Sequence, residues 1–324
     1  MIDAERKHHH TTINGIGVHF VEQGQGQPVI LCHGFPHTWY SWSRQMDALS
    51  AAGYRVIAPD MRGMGQTEAP ANASSYGVDS ITADLIGLLD HLCLREAVFG
   101  GLDFGAFAVY DLALLHPERV TAVIGLENPA APHNPDVPPL TEYAELAKNN
   151  FLHIEYFRPV GPADKDLDAE PRAFLQKVFY ALSGAYDFGE VMAKPAGITY
   201  LEALPEAPQL PWNWLSVEDF EEYVKAYSES GFTGGLNWYR SMDLKWQHRK
   251  ALEGVHSPVP AFFIGSEYDV DLEHFHGDDP ISLMRAQFPN LLRVEMIANA
   301  GHLVQLENSP AVNAKLLQFL KEIY

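Results

Sequence analysis

Cysteine is nearly absent: two residues in 324, Cys32 and Cys93, cannot build a disulfide framework. Both lie in apolar runs, so the expectation is a pair of buried free thiols in a reducing compartment. Basic residues are also scarce, 22 Lys and Arg against 42 Asp and Glu. The net charge of −20 disfavours nucleic-acid phosphates and anionic membrane surfaces as partners and leaves a neutral or cationic small molecule. No apolar run approaches the roughly 18 residues of a membrane span. The opening MIDAERKHHHTT lacks the apolar core of a secretory signal, which implies a cytoplasmic protein. Internal repeats and low-complexity tracts are missing too. The run His8 to His10 leads into strand-like GVHFVEQG and reads as a surface run rather than a metal site.

What is present is hydrophobic residue, 47% of the chain, enough for one large α/β domain with an insertion. Short apolar runs bounded by turn residues recur as VHFVE, PVILC, YRVIAP, EAVFG, VTAVIGL, PVPAFFIG and LLRVEMIA. Continuous rather than alternating hydrophobicity marks strands buried on both faces, as in a parallel sheet. Between them lie helical patterns, as at Val78 to Leu92, where Ile81, Leu85, Leu88, Leu89 and Leu92 share one face. Alternation of the two gives a doubly wound α/β fold.

Beyond Glu127 the texture turns to NPAAPHNPDVPP and then to helix signals and aromatics. There SVEDFEEYVKAYSESG reads as a helix with Ser216 as N-cap, Asp219 completing a capping box and Gly231 as the stop. The domain reading is therefore an α/β core over 1–130 and 248–324, interrupted by a helical cap over 131–247.

GGLDFGAFAV, residues 100–109, places Asp103 between an apolar strand and a helix. A solvated turn or an N-cap would account for one such carboxylate. A nucleophile at a tight strand-to-helix turn needs small neighbours, and Gly101, Gly105 and Ala106 supply them. The pattern resembles the nucleophile elbow of α/β-hydrolases, with Asp in place of Ser. HGFPHTWYSWSRQ, from His33, resembles the oxyanion loop of epoxide hydrolases, and GYRVIAPDMRGMGQT resembles the strand and loop that follow it. NAGHLVQLENSP puts His302, and FIGSEYDV puts Asp269, where that fold carries its histidine and supporting acid. The resemblance covers nearly the whole chain and implies an α/β-hydrolase fold: a mostly parallel doubly wound sheet with an inserted helical cap.

A carboxylate is already an anion at neutral pH and can displace at saturated carbon, which suits an epoxide or an alkyl halide. The resemblance implies an ester on Asp103, water activated by His302, and the backbone N–H groups of Phe35 and Phe104 as oxyanion donors, with His33 structural. Glu127 is the alternative supporting acid. Epoxide hydrolases also use two cap tyrosines on the leaving oxygen. SGFTGGLNWYRSM gives Tyr239 as one; the other position, three residues before Tyr156-Phe157, holds His153. Either His153 takes that role, or Tyr156 does, or Tyr239 acts alone. Phe104 stands where haloalkane dehalogenases usually carry Trp, which makes dehalogenation the second reading and a ligand-binding protein without turnover the third. No cofactor or metal is implied. EHFHGDD, 273–279, matches no zinc spacing and reads as an acidic loop. The expected partners are a small epoxide and water, with a homodimer left open.

Overall fold

The computed structural model describes residues 5–276 and 278–324, apart from the side chain at position 273. Eight strands form one sheet: β1 (Lys7–Ile13), β2 (Ile16–Gly24), β3 (Gln27–Cys32), β4 (Tyr54–Pro59), β5 (Ala97–Leu102), β6 (Val120–Leu126), β7 (Ala261–Ser266) and β8 (Leu291–Ile297). Their spatial order is β1-β2-β4-β3-β5-β6-β7-β8. β1 and β2 pair antiparallel, as do β2 and β4, and every later pairing is parallel.

Burial follows the residue pattern. β5 and β7 are buried at every position, as their continuous apolar runs require. β1 instead takes the edge with KHHHTTI, so the histidine run is itself a strand and is largely exposed there. Polar edge strands of this kind resist pairing with another chain.

Helices cover both faces. On one face, Ser43–Ala51 and Ser309–Ile323 bury Trp42, Met46, Val312, Leu316 and Phe319 against Val29, Val56 and Ile124. On the other, Val78–His91 and Phe104–Leu115 bury Leu85, Leu88, Val109 and Leu112 against Ile30, Ile57 and Phe99. The segment between β6 and β7 contains only helices, from Pro139 to Arg249. The last of these, Met242–Arg249, runs through the expected cap boundary at 247.

Three local expectations change. Cys93 is exposed, because the helix stops at His91 and Cys93 takes a left-handed φ of +54° in the turn that follows. Cys32 is buried as expected, and both thiols are free. Ser216 caps Val217–Ser230 by accepting from the Asp219 N–H, but the Asp219 carboxylate accepts from Tyr40 Oη at 2.7 Å and pairs with Arg44 at 3.2 Å. Contacts with the sheet domain thus take the place of the reciprocal half of the capping box. Within 273–279, the first residues belong to a helix, Val270–His274, while Gly277 lies outside the described residues.

The chain leaves β3 toward β4 on one side and reaches β5 on the other. In open parallel sheets the crevice at the carboxyl ends of two such strands receives ligands. Phe35 follows β3 and Asp103 follows β5, while Asp269 and His302 come after β7 and β8.

Candidate active site

Asp103 sits between β5 and the helix Phe104–Leu115 at φ +54° and ψ −127°, a strained conformation for a residue with a Cβ. The turn is tight: a Cβ on Gly101 would collide with the Gly105 carbonyl, and one on Gly105 with the Cys32 carbonyl. Asp103 is only 8% exposed and makes no capping hydrogen bond to the helix, which removes the solvated-turn and N-cap accounts. Its Oδ1 accepts from the Phe35 N–H at 2.8 Å, and its Oδ2 faces His302 Nε2 at 3.9 Å. Burial pushes the carboxyl up to about 6, against His302 and the Phe104 and Phe35 N–H groups, which favour its charge.

The loop that presents Phe35 is pinned by buried His33. Its Nδ1 lies 2.8 Å from the Gly34 carbonyl and its Nε2 accepts from the Met61 N–H at 2.9 Å, which fixes the neutral tautomer with the proton on Nδ1.

His302 is held from three directions. Its backbone N–H donates to the Leu182 carbonyl at 2.9 Å, tying it to the cap helix Pro171–Leu182. Glu307 accepts from Gly184 N–H at 2.8 Å and from Gly301 N–H at 3.0 Å, which joins the same cap segment to the histidine loop. The ring Nδ1 lies 2.6 Å from Asp269 Oδ2. Asp269 Oδ1 accepts from Leu272 N–H at 2.7 Å, so each carboxylate oxygen has one partner. With Nδ1–H assigned to Asp269, Nε2 is the nitrogen turned to Asp103. Burial alone would lower the His302 pKa, but the charges of Asp269, Asp271 and Asp103 outweigh it and hold the ring well above its ordinary value.

Glu127 is fully buried behind Asp269, at φ +64°. Its Oε2 accepts from the Ser266 N–H at 2.9 Å and Oγ at 3.2 Å, and its Oε1 has no partner. Burial, and then the Asp269 charge, push its pKa well above the ordinary carboxyl value. The geometry brings Asp269, not Glu127, to His302.

Two cap side chains close the chamber. Tyr239, on the helix Thr233–Arg240, is 8% exposed, with its ring 4.7 Å from that of Phe104. His153 opens the short helix His153–Phe157, and its ring stands perpendicular to Tyr239 at 5.7 Å. Asp103, Asp271, His302, His153 and Tyr239 line a common cavity of about 40 Å³, and all but His302 also line a neighbouring one of about 90 Å³. Burial holds His153 neutral, down to about 4, and its Nδ1 has no partner. Burial likewise raises Tyr239 well above the usual phenol range, so its hydroxyl keeps its proton. Tyr156 is not in the chamber: its hydroxyl donates to Asp166 at 2.7 Å.

The sequence reading missed Asp271. Its Oδ2 accepts from Asn128 Nδ2 at 2.6 Å and lies 3.9 Å from His302 Nδ1. The signal was the second Asp in YDVD, two residues after Asp269.

Such an arrangement can attack a polarised carbon with a carboxylate, hold the opposite end of the reacting bond with two neutral donors, and activate water on an imidazole backed by an acid.

Comparison with known proteins agrees with this chemistry. The family model described as alpha/beta hydrolase fold matches residues 27–152. Epoxide hydrolase A of Mycobacterium tuberculosis is 38% identical over 311 residues, covering 95% of each chain. Bifunctional epoxide hydrolase 2 of Sus scrofa is 36% identical over 95% of this chain and 54% of its own. The crystal structure of epoxide hydrolase A from Mycobacterium thermoresistibile superposes with a TM-score of 0.90 at 36% identity over 98% of both chains. With similarity at this level along nearly the full length, this chain belongs to the epoxide hydrolases of the α/β-hydrolase fold.

Proposed function

We propose that the protein converts a small apolar epoxide and water to a vicinal diol through an ester on Asp103. The observation that carries this reading is that two groups able to donate, Tyr239 and His153, line one cavity with the Asp103 carboxylate. Oδ2 attacks an oxirane carbon while Tyr239 Oη–H and His153 stabilise the departing oxygen, which needs a proton or a strong hydrogen bond. Oδ1, held by Phe35 N–H, becomes the ester carbonyl oxygen.

Esterification removes the Asp103 charge, one of the three that hold His302 protonated. The Nε2 proton then passes to the opened alkoxide, which becomes the hydroxyl of the hydroxy ester, and the neutral ring serves as base. Water, deprotonated by Nε2, attacks the ester carbon, and the oxyanion on Oδ1 is held by the Phe35 and Phe104 N–H groups. Collapse releases the diol and restores the carboxylate.

Halide displacement has less support. The Phe104 side chain has no donor, and the neighbouring Trp238 indole N–H is committed to the Arg62 carbonyl at 2.9 Å. With no membrane-crossing helix among the described residues and a free exposed Cys93, the cytoplasm is the proposed compartment. A monomer or a homodimer both accommodate the site, which one chain completes.

A single turnover in water enriched in heavy oxygen tests the mechanism. The label enters the Asp103 carboxylate and the first-formed diol is unlabelled. Label in the diol with none in the protein means direct attack by water and removes the ester.

A further inference from the structure

Two glycines bring the cap against the backbone of the histidine loop. A Cβ on Gly301 would lie 2.5 Å from the Gly184 nitrogen and 2.7 Å from the Leu182 carbonyl oxygen, and one on Gly184 would lie 3.0 Å from the Ala300 carbonyl carbon. Residues 182–184 and 300–302 therefore meet backbone to backbone. The His302 N–H ties them directly, donating to the Leu182 carbonyl at 2.9 Å. The Gly184 and Gly301 N–H groups point instead at one carboxyl, Glu307, whose Oε2 and Oε1 accept at 2.8 and 3.0 Å.

Such a clamp needs an acceptor at both oxygens. A carboxylate supplies that, whereas a protonated carboxyl turns one oxygen into a donor and weakens the hold on one N–H. Burial pushes Glu307 up to about 7, against the Gly184, Gly301 and Leu303 N–H groups and then His302, which favour its charge. Other charged side chains nearby are engaged elsewhere. Arg44 donates to the Leu306 and Trp214 carbonyls at 2.9 and 2.8 Å and pairs with Asp219 at 3.2 Å, and Glu267 accepts from the Asn299 N–H at 3.0 Å. Protons reach Glu307 without crossing the chamber, because it lines a cleft of about 400 Å³ with Tyr180, Ser183, Gly184 and Asn299. None of these five lines the cavities around Asp103.

We propose that Glu307 is a positioning residue for the water step, clamping the histidine loop to the cap through the Gly184 and Gly301 N–H groups. The inference rests on the two-step reading above and divides the steps. Attack by Asp103 uses the Phe35 N–H and the cap donors, whereas ester hydrolysis needs His302 Nε2 aligned on both a water and the ester carbon. A displacement of about 1 Å at such a point costs about 10²-fold. Protonating Glu307 releases one N–H, the loop and the cap draw apart, and hydrolysis slows as pH falls through about 7.

Single-turnover mixing with styrene oxide, read by intact-protein mass, follows the two steps separately at each pH. In Glu307→Gln one acceptor remains and an amide N–H₂ faces the other N–H. This variant forms the ester within about threefold of the wild-type rate, which shows that it folds, and hydrolyses it about 10- to 10²-fold more slowly at pH 8. It also loses the inflection near pH 7. Hydrolysis at the wild-type rate overturns the proposal, and so does equal slowing of both steps, which marks a purely structural part. An inflection that persists in Glu307→Gln belongs to His302 itself and overturns it too. Hydrogen exchange in the wild type needs no variant: protection of the Gly184 and Gly301 amides is greater at pH 8 than at pH 6, and equal protection overturns the clamp. If neither the wild type nor His302→Gln gives an Asp103 adduct, the ester reading fails and takes this inference with it.

Discussion

Replacing Asp269 by Asn leaves the shape of the site nearly intact and changes one proton. The present carboxylate accepts Nδ1–H at 2.6 Å, which leaves Nε2 free to take a proton from water. An Asn amide in that place can donate to Nδ1 and drive the proton to Nε2, the wrong tautomer for a base. In a serine protease the corresponding change costs about 10⁴-fold in kcat, or about 5.5 kcal/mol. The loss here is smaller, about 10²- to 10³-fold, because Asp271 Oδ2 stays 3.9 Å from Nδ1 and still favours a proton there. The loss falls on ester hydrolysis rather than on attack by Asp103, which needs no base. Rapid mixing with an epoxide and intact-protein mass measurement therefore catches an adduct that the wild type does not accumulate. Glu127→Gln, by contrast, changes a group that bonds Ser266 and not His302, and stays within about threefold of wild type. Near-full activity in Asp269→Asn together with loss in Glu127→Gln would refute the assignment.

Further outcomes follow from the same geometry. Tyr239→Phe slows ester formation about 10²- to 10³-fold, as expected for loss of one donor to a developing oxyanion, and His153→Phe slows it while His153→Tyr retains most of the rate. Single-turnover kinetics reads both, and unchanged rates in both His153 variants exclude that residue from ring opening. Asp103 must be ionised to attack, so kcat/KM falls as pH drops through about 6. The same raised pKa makes the charge costly to the fold: the folded chain binds more protons than the unfolded one between about pH 4 and 6, and stability falls as pH rises through that window. Asp103→Asn escapes this penalty, of the order of 2–3 kcal/mol, and melts higher at pH 8 by several degrees in calorimetry; an unchanged or lower melting temperature counts against a buried anion.

The parts of the site that sequence reveals are those whose constraint is local. Asp103 is marked by small residues at 101, 105 and 106, because the elbow crowds its own backbone against Cys32 and Gly105. His302 and Asp269 follow strands whose apolar runs announce themselves. Asp271 carries no comparable mark: its direction depends on Asp269 accepting from Leu272 N–H to start a helix, which swings residue 271 back over His302. Cys93 illustrates the same limit, since a left-handed turn after His91 decides its exposure. Asp219 is recruited by Tyr40 and Arg44, some 175 or more positions away in the chain.

Four carboxyl groups around one imidazole would be an unstable concentration of charge if all were treated alike, and they are not. Asp103 has backbone N–H partners, Asp269 has Leu272 N–H and the ring, and Asp271 has Asn128. Glu127 has only Ser266, and its pKa is pushed well up by burial and the Asp269 charge. Three carboxyl groups thus favour a proton on the imidazole, and the one that the proposed chemistry consumes is Asp103. Forming the ester subtracts that charge, lowers the proton affinity of His302 and makes a base when water must be activated. Hydrolysis returns the charge, and His302 is protonated again as the diol leaves. In the proposed mechanism the order of the two half-reactions then follows from electrostatics around one ring.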